Sequence, residues 1–197
     1  MGIINFEKAA ETLNVDIAAI RAVHLVEAGG RNGFLPDSRT LILFEGHIFW
    51  NHLKKLGIDP EKFRSGNEDI LFPAWNPKSY KGGAAEYDRL HKACAINHGA
   101  ALRSASWGMF QIMGFNHNLC GYDSVFVYAA AMQVNQENQI AAFTNFLQKT
   151  GLDIPLRELR WADFARLYNG ARYKENRYDE KLKEAYLRMN NKGINKV

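Results

Sequence analysis

The sequence predicts an α+β chain that is predominantly helical, with one small β-hairpin. Apolar residues recur at helical spacing through most of its length, and glycine and proline break these stretches at short intervals. Convincing β character with turn chemistry occurs only between residues 31 and 44. With 197 residues and 47% hydrophobic content the chain can bury one sizeable core. No linker, repeat or low-complexity segment divides it, so residues 1–197 are expected to form a single domain.

Asn5 to Leu13 reads as a short first helix. Asp16, a good N-cap, precedes apolar Ile17, Ile20, Val23, Leu25 and Val26, and Gly29-Gly30 stops the run, which predicts a second helix with Glu27 in its last turn. Gly33, the turn-forming Pro36-Asp37-Ser38 and the apolar run Thr40 to Phe44 predict the hairpin. From His47 to Leu56 helical spacing returns, with Ile48, Phe49, Leu53 and Leu56 on one face and Gly57 as the stop. Residues 64–83, rich in Pro, Gly and Asn, form the longest loop-like tract, and long ordered loops in compact folds are often functional. Further helices are expected near 84–95, 100–112, 123–134, 136–149, 158–168 and 177–190.

The net charge of +4 suits polyanionic partners, either nucleic acid or cell wall. The basic residues are dispersed, with a mild concentration at Lys181, Lys183, Arg188, Lys192 and Lys196 that a solvated helix face and tail would explain. No recognised nucleic-acid motif accompanies them, so no nucleic-acid partner is expected. No apolar run approaches the roughly 18 residues of a membrane span. The start, Met1 to Glu7, has neither an export signal nor a myristoylation site, so synthesis in the cytoplasm without stable membrane insertion is expected. Cys94 and Cys120 form no CxxC pair and read as buried free thiols. The histidines include no HExxH, and His47 and His52 are spaced off a common helix face, so neither a metal nor another cofactor is expected.

Glu27 lies among apolar neighbours at a helix C-terminus, and both circumstances disfavour its charged form. A carboxylic acid kept neutral near neutral pH is the group needed to protonate a glycosidic leaving oxygen. An exposed glutamate on a polar face would carry the same local sequence. Further along, Ser104 to Met113 combines small hydroxyl residues, Gly108 and the polar Gln111, and Leu167-Tyr168-Asn169-Gly170 ends a helix with a phenol and an amide side by side. Each signal is weak alone.

In order and spacing these segments resemble three signatures of the lysozyme-like superfamily of goose-type lysozymes and lytic transglycosylases: Glu before a small residue at a helix end, Ser-x-Gly-x-x-Gln, and Tyr-Asn-Gly. Val26-Glu27-Ala28-Gly29-Gly30 with Phe44 to Trp50 is similar to the N-acetylmuramidase domain of phage endolysins and prophage lysis proteins, over roughly residues 10–190. The resemblance implies a lysozyme-like fold with the hairpin beside the active-site cleft, and Glu27 as the catalytic acid. It implies that Ser106 and Gln111 line the sugar cleft, and that Tyr168 and Asn169 flank the acid, the phenol holding it in orientation.

Glu45 is the candidate second carboxylate, where the hairpin meets the next helix; a structural clamp to backbone amides or His47 explains the same sequence. Asp37 is its rival, although Pro-Asp-Ser also suits a plain turn. Of the tryptophans, Trp50 and Trp161 are assigned to the core, and Trp75, in the proline-flanked loop, is expected to be exposed. The expected activity is hydrolysis of the N-acetylmuramic acid to N-acetylglucosamine bond of peptidoglycan glycan strands, by a monomer acting in the periplasm or cell wall. A lytic transglycosylase with the same acid, and a non-catalytic binding module, are the alternatives. A second carboxylate favours hydrolysis.

Overall fold

A computed structural model describes residues 4–171 and 173–194, so Met1 to Ile3, the Lys192 side chain and Lys196 of the basic tail lie outside the described residues. In chain order these residues form α1 (Glu7–Leu13), α2 (Ile17–Ala28), β1 (Ile42–Phe44), α3 (Gly46–Lys55), α4 (Ala85–Arg103), β2 (Ala105–Trp107), β3 (Ile112–Met113), α5 (Val125–Met132), α6 (Gln136–Thr150), α7 (Asp153–Arg157), α8 (Trp161–Asn169) and α9 (Tyr178–Ile194). They build two compact units, one combining the chain up to Asn32 with the chain from Ile140 onward, the other Gly33–Gln139. None of the described helices is long and apolar enough to cross a membrane.

The first unit is helical. Asp16 caps α2 by accepting from the Ala18 amide at 2.8 Å, and Gly29 ends the helix in the left-handed conformation, as the sequence predicts. The buried face of α2 is built from Ala18, Ala19, Ile20, Ala22 and Val23, and α2 packs mainly on α9, which buries Leu182 and Ala185. Small residues let two helices approach closely while still excluding water. Arg157 joins α7 to the end of α1 through the carbonyls of Leu13 and Asn14 (2.7 and 3.0 Å). Trp161, Phe164 and Ala165 are the buried stripe of α8, so Trp161 is core, as expected. The helix α7, which contains Pro155, was not foreseen.

The second unit corrects the sequence reading in three places. Residues 100–112 are not one helix: α4 runs on to Arg103, and β2 and β3 follow. The turn between them needs a positive φ at Gly108 (+70°), which no continuing helix can supply, and short apolar runs fit either period. The hairpin is also not local. Leu35 and Thr40 do bracket a turn through Pro36-Asp37-Ser38, with a single bridge from Phe34 to Thr40. The strand proper, β1, pairs antiparallel with β2 far along the chain (Ile42 with Trp107, Phe44 with Ala105), and β2 pairs with β3. The helix expected to end near residue 95 continues past a break at Asn97, whose Oδ1 accepts from the Ala100 amide at 2.9 Å and starts the helix anew. Cys94 and Cys120 are free thiols, Cys120 buried and Cys94 half-buried.

At the centre of this unit is an ion pair fully removed from water. Glu86 and Arg89, one turn apart on α4, meet at 2.6 Å with side chains 0% and 1% exposed. Glu86 also accepts from the backbone amides of Phe44 (3.0 Å), Lys81 (2.6 Å) and Gly82 (3.0 Å). Arg89 donates to the carbonyls of Phe44 (2.8 Å) and Asp69 (3.1 and 2.8 Å). The pair thereby ties the end of β1 and both ends of the 69–82 loop to one helix. Gly46 completes the junction, since a Cβ there would lie 2.5 Å from the Phe72 ring. Trp50, with Phe44, Phe49, Leu53, Ile70 and Leu71, forms the adjacent core.

Arg89→Met should lower stability by about 3–5 kcal/mol in urea unfolding, because it strands a buried carboxylate. Burial by itself would raise the Glu86 pKa, but the amides of Gly82, Phe44 and Lys81 and the charge of Arg89 outweigh it and hold the pKa below its ordinary 4.5. A depressed carboxylate stabilises the fold above its ordinary value, and this contribution is lost as pH falls through the folded pKa. Stability measured against pH should therefore fall on acidification below about 4.5, and Glu86→Gln should make that acid limb shallower by up to one proton.

Candidate active site

In the first unit the site is organised around Glu27. It occupies the last turn of α2, half-buried, and its Oε1 accepts a 2.9 Å hydrogen bond from Nδ2 of Asn169, the last residue of α8. Burial raises its pKa from the ordinary 4.5, and the Asn169 bond, which favours the charged form, offsets part of the rise. The turn that follows is pinned twice: Arg31 donates its amide and its Nε to the Ala28 carbonyl (3.1 and 2.9 Å), and His24 Nε2 donates to the Arg31 carbonyl at 2.7 Å. His24 is buried, which lowers its pKa and keeps the ring neutral. Neither His24 nor Arg31 was singled out from the sequence, although His24 stands one turn before Glu27 and Arg31 directly follows the Gly-Gly stop.

Tyr168 stacks on Phe164 (centroids 5.3 Å apart, 12° between planes) and meets Phe143 and Phe146 edge-on. The resemblance assigns the holding of the acid to its phenol. From the next position Asn169 donates to that carboxyl, and the aromatic packing of Tyr168 seats the end of α8 that carries both residues. Tyr178, at the start of α9, has a pKa raised by burial and by the charge of Glu27.

The remaining candidates lie in the second unit. Glu45 leads into α3, with its amide donating to Ser104 O at 2.9 Å. Its Oε2 accepts from the Tyr80 hydroxyl at 2.7 Å and lies 3.3 Å from His47 Nδ1, a contact too poorly aligned to count as a hydrogen bond. The Tyr80 oxygen in turn accepts from Trp75 Nε1 at 2.8 Å. Burial, then the bond and charge of Glu45, push the Tyr80 hydroxyl well above its ordinary range. Nothing in the local sequence around Tyr80 shows that it reaches Glu45. Trp75 is 61% exposed, as expected.

Ser106 and Gln111 come together: Ser106 Oγ donates to Gln111 Oε1 at 2.9 Å, and Gln111 Nε2 donates to Gly108 O (2.7 Å) and Leu41 O (3.3 Å). Ser106 is buried, and Gln111 holds a left-handed backbone conformation (φ +50°). These bonds close the β2–β3 turn and join it to β1. Asp37 is exposed and paired with Arg39 at 2.6 Å, a bond that lowers its pKa, as suits a turn residue. The structure thus groups Glu27 with Tyr168 and Asn169 in one unit, and places Glu45, Ser106, Gln111 and Asp37 in the other.

Residues 16–190 match the family model of the N-acetylmuramidases. The chain is 35% identical over 89 residues to an endolysin of Enterobacteria phage PRD1, a match covering 42% of this chain and 58% of that protein's length. It is similar to the crystal structure of a Burkholderia AP3 phage endolysin, with a TM-score of 0.84 and 41% identity over 94% of this chain and 70% of that one. The fold is therefore lysozyme-like, mostly helical with a small antiparallel sheet.

The electrostatics of Glu27 are testable without any substrate. A carboxyl-carbon NMR titration should place the Glu27 pKa above 4.5, and Asn169→Ala should raise it further, because the lost bond favoured the charged form. An unmoved titration in the variant would mean that Asn169 does not tune the acid.

Proposed function

Because the chain belongs to the N-acetylmuramidase family, we propose that it is a peptidoglycan hydrolase, cleaving the β-1,4 bond between N-acetylmuramic acid and N-acetylglucosamine with Glu27 as general acid. The observation that carries this reading is the state of Glu27: a half-buried carboxyl with a raised pKa, held by a hydrogen bond from the Asn169 amide. Such a group keeps its proton to a higher pH than an exposed glutamate and delivers it in a defined direction.

The proton goes to the glycosidic oxygen as the bond to the anomeric carbon breaks, and positive charge develops on the sugar ring. Asn169 and the neighbouring Tyr168 phenol are the proposed holders of the acid's orientation. Glu45, an acceptor for Tyr80, is the proposed second carboxylate, acting as base for the incoming water or as a stabiliser of the developing cation. Ser106 and Gln111 shape the sugar-facing turn, with substrate contact as their proposed role. The chemistry asks for no metal or cofactor. The 16–190 span of the family match supports reading both compact units as parts of one muramidase domain. The glycan strand is the proposed partner of a monomer that acts in the periplasm or wall, and no role with nucleic acid or as an inserted membrane protein is proposed.

Glu27→Gln should fold normally, by circular dichroism, and lose about 10²–10⁴-fold in clearing permeabilised Gram-negative cells, since the amide is nearly isosteric but has no acidic proton. A variant that folds and still clears at more than about a tenth of the wild-type rate would remove Glu27 as the acid. Wild-type activity should decline as pH rises through the raised Glu27 pKa, because the protonated form is the active one. Mass spectrometry of the released muropeptides should show reducing N-acetylmuramic acid ends. Anhydro ends as the main product would assign the chain to transglycosylation instead.

A further inference from the structure

Trp75 stands out among the four tryptophans. The other three, Trp50, Trp107 and Trp161, are buried at 8% exposure or less, whereas Trp75 is 61% exposed. It is nevertheless not a loose surface side chain, because its indole N–H is engaged at 2.8 Å by the Tyr80 hydroxyl oxygen. With its one polar atom occupied, what the indole offers solvent is flat apolar ring.

The direction of the hydrogen bonds follows from chemistry alone. An indole N–H only donates, so the Tyr80 oxygen is the acceptor and its own hydrogen is free to go to Glu45 Oε2, 2.7 Å away. Glu45 Oε2 is thus an acceptor fixed by the Tyr80 hydroxyl. Facing this relay are His47 Nδ1, 3.3 Å from the same Glu45 oxygen, and the Arg89 guanidinium, 5.9 Å from the Tyr80 ring centroid and itself committed to Glu86.

The loop that carries Trp75 is also preorganised. Asn76 accepts from the Lys78 amide (3.2 Å) and the Ser79 hydroxyl (2.7 Å), and Glu86 takes the amides of Lys81 and Gly82. A flat aromatic plane held rigid beside a carboxylate suits a pyranose ring, whose axial C–H groups meet the negative π face while hydroxyls bond to the acid.

Resting on the hydrolase reading above, we propose that Trp75 is a stacking platform for an N-acetylhexosamine ring of the glycan strand, and that Tyr80 is a positioning residue linking this platform to Glu45. The two roles separate by substitution. Trp75→Phe keeps an aromatic face and loses the N–H; Trp75→Ala loses both; Tyr80→Phe keeps the ring and removes the hydroxyl that joins Trp75 to Glu45.

The test titrates intrinsic tryptophan fluorescence with tetra-N-acetylchitotetraose and measures kcat and KM on purified soluble glycan strands. Wild type should show a saturable blue shift from Trp75. Trp75→Ala should lose that shift and raise KM by about tenfold, the worth of one stacking contact. Trp75→Phe should keep KM within about threefold, well below the tenfold loss of a stacking contact, and lower kcat in the same direction as Tyr80→Phe. Tyr80→Phe should lower kcat by about tenfold or more at nearly unchanged KM, a split that a purely structural loss would not give. If wild type cleaves the strands and Trp75→Ala matches it in shift and KM, the platform is refuted and the hydrolase reading stands. Tyr80→Phe with wild-type kcat refutes the link to Glu45. If wild type neither cleaves nor binds, both readings fall together.

Discussion

The ion pair between Glu86 and Arg89 is the constraint on which the second unit depends. Each of these charges would be costly to bury alone, and each is compensated by a bidentate or multiple set of partners. The partners are backbone or loop groups, from Phe44, Asp69, Ser79, Lys81 and Gly82. A strand end, a helix and a long loop with little apolar content of its own are thereby fixed at one point. The residue after Phe44 is Glu45, and Tyr80 lies between Ser79 and Lys81, so the position of the candidate second acid and of its donor follows from the clamp rather than from local propensity.

Two glutamates in this molecule show opposite results of the same two effects. Burial acts on both Glu27 and Glu86 to raise the pKa. At Glu86 three amides and a guanidinium overcome it, and the group is held ionised as a structural anchor. At Glu27 one amide opposes it, too little to reverse the shift, and the group is left as an acid. What separates the proposed acid from the structural carboxyl here is the set of donors aimed at each.

Aromatic packing plays a similar indirect part near Glu27. Tyr168 is seated by Phe143, Phe146 and Phe164, and its neighbour Asn169 receives a fixed direction at the end of α8. His24 and Arg31 secure the turn on the other side of the acid. Glu27 is thus held by residues before and after it in α2 and its turn, and by a helix end more than a hundred positions away.

The sequence alone determined what short-range chemistry controls. Asp16 as cap and Gly29 as stop bound α2 and put Glu27 in its last turn; Pro36-Asp37-Ser38 made a turn; Trp50 and Trp161 went to the core and Trp75 to the surface. Each of these outcomes rests on backbone preferences or on simple apolarity, which a few consecutive residues encode. The resemblance of three separated segments to lysozyme-like signatures supplied the family as well. Only the tertiary structure decided that β1 pairs with β2 across the chain, that 105–113 is sheet rather than helix, and that Glu86, Arg89 and Tyr80 are the residues that hold β1 and Glu45. Those are partnerships between groups distant in sequence, chosen by which buried polar atoms must find one another once water is excluded, and no local pattern records that choice.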